Sequence, residues 1–110
     1  MLEALWSVEF VSNVQGFGAG VAVFETGRVL GGDASYTYVG KYSSNGNGLV
    51  ADIVVSNYRG APHSVFGAIP KFTLHLEGVP KQDTFDVHGH MVENPNLKID
   101  IRLTRRAELP

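Results

Sequence analysis

Apolar and polar side chains alternate with a period of two along most of this chain. Trp6, Val8 and Phe10 alternate with Ser7 and Glu9, Tyr36, Tyr38 and Tyr42 with Thr37 and Lys41, and Phe72, Leu74 and Leu76 with Thr73, His75 and Glu77. Farther on, Phe85 and Val87 alternate with Asp86 and His88, and Leu97, Ile99, Ile101 and Leu103 with Lys98, Asp100, Arg102 and Thr104. Successive strand side chains point to opposite faces, so the pattern describes strands with one buried side. It predicts eight strands, near residues 4–13, 16–25, 28–32, 35–44, 48–57, 70–78, 82–91 and 97–105. No window carries the period of a helix. Only Tyr58 to Ala68 has room for a helical turn; the longest connection, Asn57 to Ala68, is expected to lid or plug one end or simply to cap the core with Val65 and Phe66.

The breaks between strands are turn chemistry. Thr26-Gly27 suits a two-residue hairpin, and Ser44-Asn45-Gly46-Asn47-Gly48 is rich in residues that tolerate positive φ. Pro80-Lys81 and Glu93-Asn94-Pro95-Asn96 read the same way. Matching apolar face to apolar face gives an expected register. Trp6 lies opposite Val23 and Val8 opposite Val21; Tyr42, Tyr38 and Tyr36 lie opposite Leu49, Ile53 and Val55. Leu76 and Leu74 then meet Phe85 and Val87, which in turn meet Leu103 and Ile101. Consecutive hairpins make a meander, and eight strands close into a barrel that is just filled or holds one small ligand. The expected fold is all-β, a single eight-stranded antiparallel up-and-down barrel over residues 1–110. An open sandwich is the alternative, and it would leave edges to cover.

Composition narrows the function. The formal net charge is −2 with both signs interspersed, so no basic footprint for direct nucleic-acid binding exists. The apolar runs are too short for a membrane-spanning helix, and the first residues lack the order of a secretory signal. The absence of cysteine suits a reducing compartment. Together these lead us to expect a cytoplasmic protein that does not engage membranes.

Chemistry-bearing residues are few. His88 and His90 share a strand face and His75 lies on the neighbouring strand, a spacing that could hold a divalent metal. The expected register instead sets His88 against Asp100, Asp86 against Arg102 and His75 against Asp86, a surface ladder of opposite charges, so no metal site is expected. Gly16-Phe17-Gly18-Ala19-Gly20 lacks the following helix and the spacing of a phosphate loop, and no cofactor motif appears. Ser64 and His63 share a loop with Arg59 but form no catalytic arrangement, so enzymatic activity is not expected. Trp6, Phe10, Tyr36, Tyr38, Phe72 and Phe85 are expected to line a cavity for a small apolar ligand. With Phe17, Ala19, Val21 and Val23 placed inward, Gly18, Gly20, Ala22 and Phe24 fall outward near Val29, a plausible homodimer face.

Leu5-Trp6-Ser7-Val8-Glu9-Phe10, Gly18-x-Gly20-Val21, Gly27-x-Val29, Gly31-Gly32-Asp33 and Tyr38-x-Gly40 together resemble the GrlR-type negative regulators of type III secretion. The resemblance continues through Val50 to Tyr58 and Pro62 to Leu76, covering residues 5–76. It implies a lipocalin-like barrel with an apolar cavity, usually dimeric, that acts by protein contact and sequesters a helix-turn-helix transcriptional activator. The family's acidic surface loop falls here on Ser44, Asn45, Gly46 and Asn47, which carry no charge. A neutral loop presents different complementarity to a basic partner, so with this expected partner-binding loop three alternatives stay open: regulation of a different activator, binding of a small molecule, or an unrelated role.

Overall fold

The structure is a computed structural model that describes residues 2–110. Its eight strands are β1 (Ala4–Ser12), β2 (Phe17–Glu25), β3 (Arg28–Gly32), β4 (Tyr36–Asn45), β5 (Gly48–Asn57), β6 (Lys71–Gly78), β7 (Thr84–Met91) and β8 (Lys98–Ala107). Each pairs with its sequence neighbours, and β8 returns to β1 to close an antiparallel barrel. Every strand has a paired neighbour on both sides, which removes the open-sandwich alternative.

The turns follow from local chemistry. At Thr26-Gly27 both residues have positive φ, 53° and 77°, the geometry of a type I′ turn that lets Glu25 pair with Arg28. In the β4–β5 turn the Asn45 side-chain carbonyl accepts the Asn47 backbone N–H at 2.8 Å. That places the turn at Gly46-Asn47 and pairs Tyr38 with Val55 and Tyr42 with Ala51, two residues from the expected register. The β6–β7 pairing moves by four, Leu74 meeting Met91 and Gly78 meeting Val87, because residues 79–83 form a longer connection than a tight Pro80-Lys81 turn. Both are even shifts, so the buried faces are unchanged. The β7–β8 register is as expected, with Val87 opposite Ile101 and Phe85 opposite Leu103.

The β1–β2 register differs by one, and there the faces exchange. Trp6 pairs with Ala22 and Val8 with Gly20, so Gly18, Gly20, Ala22 and Phe24 point into the barrel. The cause is volume. A Cβ on Gly18 would stand 2.8 Å from the Phe10 ring, and one on Gly20 would stand 2.6 Å from the Tyr38 hydroxyl oxygen. The large inward residues of β1 and β4 occupy the room that β2 leaves empty, the large-against-small packing of small barrels.

The interior gathers Trp6, Tyr36, Tyr38, Ile53, Phe72, Leu74, Phe85, Val87, Ile99 and Leu103 around one shared core. At the end carrying the β2–β3, β4–β5 and β6–β7 turns, aromatic rings form a floor. Trp6 lies edge-on to Phe85 at 5.1 Å and Phe24 stacks tilted on Tyr42 at 5.0 Å, while the Arg105 guanidinium caps the Trp6 ring at 4.8 Å.

Candidate functional site: an apolar cavity with one acidic end

Above the floor the barrel is not filled. A cavity of about 290 Å³ runs between the sheet walls, bounded by Val8, Ala22, Ile53, Val55, Phe72, Leu74 and Ile99 among others. The exposed residues in its lining are Phe17, Ala19, Ala34 and His63, so it reaches solvent between the start of β2, the β3–β4 turn and the 58–70 connection.

That connection is irregular rather than helical, closed by a bridge between Ser64 and Gly67. It lies over the mouth and is tied to the rim. The buried Ser12 hydroxyl donates to the Val65 carbonyl at 2.7 Å and accepts the Gly16 N–H at 3.1 Å. Phe66 drops onto Phe72, centroids 5.4 Å apart, and the Tyr36 hydroxyl donates to the Ile69 carbonyl at 2.7 Å. The connection, expected to lid or plug this end, thus reaches the core through Phe66.

The polar end is organised by Asp33. Its Oδ1 accepts the backbone N–H groups of Ser35 and Tyr36, each at 2.8 Å, turning the chain from β3 into β4. Its Oδ2 accepts the Tyr38 hydroxyl, and its backbone carbonyl accepts the Tyr58 hydroxyl at 2.7 Å. Burial, the hydrogen bond to Asp33 and the Asp33 charge hold the Tyr38 phenol protonated far above the usual phenol range. Tyr36 is raised too, by burial first, with a Ser64 hydrogen bond partly offsetting it and the Asp33 charge adding to it. Asp33 was legible as part of a motif but not as a cavity residue; its place just before an inward-pointing tyrosine pair was the available signal.

Of the six residues expected to line the cavity, Phe10, Tyr36, Tyr38 and Phe72 do so. Trp6 and Phe85 do not: they pack against each other in the floor. The expected dimer face is corrected. Phe24 is 5% exposed, Ala22 and Val29 are buried as well, and Gly18 and Gly20 face Phe10 and Tyr38. The exchange of faces in β2 instead builds an outer row. Leu5 pairs with Val23, Val23 with Leu30, Leu30 with Val39 and Val39 with Val54, five apolar residues side by side across β1 to β5. Val39 is 52% exposed. The expected partner loop, Ser44, Asn45, Gly46 and Asn47, is exposed at the floor end, far from the cavity mouth in the topology.

On the histidine face, His75 pairs with His90 rather than with Asp86. Its two ring nitrogens lie 2.9 Å from Asp52 and 2.9 Å from Glu77, contacts that raise its pKa. Asp86 is held instead by Arg102 at 2.9 Å, and His88 pairs with Asp100. Among the described residues no three His, Cys, Asp or Glu side chains converge as metal ligands. Likewise no helix is long and apolar enough to cross a membrane.

Compared with known proteins, no family model matches this chain and no curated protein matches its sequence.

Proposed function

We propose that this protein is a binding barrel that takes one small apolar ligand in its interior. The observation that carries the reading is the cavity itself. At about 24 cal/mol per Å³, an empty void of 290 Å³ costs on the order of 7 kcal/mol, an upper bound because the mouth admits water. A domain with roughly 5–15 kcal/mol of stability does not sustain such a void by neglect. The walls are aliphatic and aromatic and the few polar groups collect at one end, the composition of small-molecule pockets. The volume is about twice that of the ~150 Å³ apolar cavities that accept benzene. Titration with the neutral alcohol 1-octanol by calorimetry, or with a neutral naphthyl fluorophore, is expected to saturate at one site. Ala51→Phe, which fills the cavity from β5, is expected to abolish it while the barrel still melts cooperatively. No saturable binding to the unaltered protein would refute the reading.

A second reading, regulation by protein contact, keeps specific support. The residues that carry the resemblance to GrlR-type regulators form one packed unit: a Cβ on Gly20 would meet both the Tyr38 hydroxyl and the Gly32 carbonyl, and Tyr38 bonds Asp33. The outer apolar row from Leu5 to Val54 offers a contact face, for a second copy of the chain or for a transcriptional activator. An activator that is released when 1-octanol or a native ligand enters the barrel would join the two readings. A reporter of such an activator that is unchanged by deletion of this protein would remove the second and leave the first standing.

A further inference from the structure

The cavity carries more information than its apolar character. Among the described residues Asp33 is the only Asp, Glu, Lys or Arg in its lining. A carboxylate offers about four acceptor positions. Three are used here, two by the backbone N–H groups of Ser35 and Tyr36 and one by Tyr38. Among the described residues no Lys or Arg forms an ion pair with it. The remaining groups at this end are also mostly committed: the Tyr36 hydroxyl donates to Ile69, and the Ser64 hydroxyl donates to the Gly67 carbonyl at 2.7 Å. His63 joins the lining from the exposed side of the mouth.

Resting on the ligand-binding reading above, we infer that the ligand is cationic at one end: a small apolar amine whose ammonium sits against the Asp33 carboxylate while its hydrocarbon fills the space between β1, β2 and β5. The acceptor site left on Oδ2 suits an N⁺–H donor, and a charged pair across the low-dielectric wall is stronger than a neutral hydrogen bond. A ligand carboxylate would face Asp33 with like charge and no cation between them, so a fatty acid is disfavoured. Size sets the scale of the tail. At roughly 30 Å³ per water-sized group, 290 Å³ holds about ten non-hydrogen atoms.

Octylamine, 1-octanol and octanoate share one tail and differ in the head. Calorimetry at neutral pH is expected to rank them in that order, octylamine at least about tenfold tighter than 1-octanol and octanoate weakest. Asp33→Asn keeps a side-chain carbonyl for the Ser35 and Tyr36 N–H groups and removes the charge. It is expected to erase the preference for octylamine while 1-octanol still binds, with circular dichroism checking that the barrel remains folded. The ranking in the unaltered protein tests the head group even if the variant fails to fold. Octanol binding without any preference for the amine, or equal binding of octanoate, overturns this inference and leaves the cavity reading intact. Binding of none of the three overturns both.

Discussion

Phe24 and Val23 are neighbours on β2 that a one-residue change of register would exchange, so truncating each measures which one the core holds. Phe24 is 5% exposed, stacks on Tyr42 at 5.0 Å and meets Trp6 edge-on at 6.4 Å. Phe→Ala in a core costs about 3–5 kcal/mol, and two aromatic contacts argue for the middle of that range. The ring also borders the cavity, so its removal enlarges an existing space and relieves no packing. We expect Phe24→Ala to cost about 3–4 kcal/mol. With an unfolding entropy of about 2.1 cal/mol/K per residue, a chain of 110 residues loses roughly 4 °C per kcal/mol, so Tm falls by about 13–17 °C. Val23 is half-buried on the outer face, and Val23→Ala is expected to cost under about 1 kcal/mol. The assay is urea or thermal unfolding followed by circular dichroism, with unchanged m-values as the check that the denatured state is comparable. Equal costs, or a larger cost at Val23, would refute the observed β1–β2 pairing and with it the placement of the cavity.

Tyr38, and to a smaller degree Tyr36, has a folded-state pKa above that of the unfolded chain. The stability this contributes is fully present below the unfolded phenol pKa of about 10 and is lost as pH rises through the folded value, so ultraviolet titration compared with Tyr38→Phe should show the Tyr38 phenol ionising only together with alkaline unfolding; its reversible ionisation in a folded barrel would contradict this. Ser12→Ala removes the hydroxyl that holds the Val65 carbonyl and is expected to cost about 1–3 kcal/mol and to speed hydrogen exchange at residues 64–67 without affecting the floor around Trp6. If the outer apolar row joins two copies of the chain, Val39→Lys shifts the mass in light scattering toward the monomer while conservative changes in the Ser44–Asn47 turn leave it unaltered; a mass that does not respond to Val39→Lys counts against self-association through this face.

Strand number, order and closure were legible because each strand alternates cleanly and each turn has its own chemistry. Thr26-Gly27 is the clearest case: two positive-φ residues fix both the turn and the pairing of Glu25 with Arg28. The β4–β5 and β6–β7 registers were readable only to within an even number of residues, since face-matching constrains which side is buried and not where along the partner a strand sits. β2 is different in kind. Phe17, Ala19, Val21 and Val23 are jointly more apolar than Gly18, Gly20, Ala22 and Phe24, and hydrophobicity alone chooses the wrong set. What decides is volume: the Phe10 ring leaves no room for a side chain at Gly18, and Tyr38 with the Gly32 carbonyl leaves none at Gly20. Phe17, 84% exposed, and Val21, 49% exposed, are left outside as a result.

That same choice of face is what makes the site. Had β2 turned Val21 and Val23 inward, their side chains would have filled the middle of the barrel, where Ala22 now borders open space. Placing the small set inward opens the cavity and at once moves Val23 outside, where it completes the row with Leu5, Leu30, Val39 and Val54. The interior pocket and the outer apolar row are thus two sides of one strand, and Gly20, which abuts Tyr38, lies two residues from Ala22 on the cavity wall. A ligand that moves Tyr38 against Asp33 presses on β2 directly, and β2 carries Val21 and Val23 on its other side. Were a ligand to fill the barrel and a partner to dock on the row, coupling between them would need no longer path than the thickness of this strand.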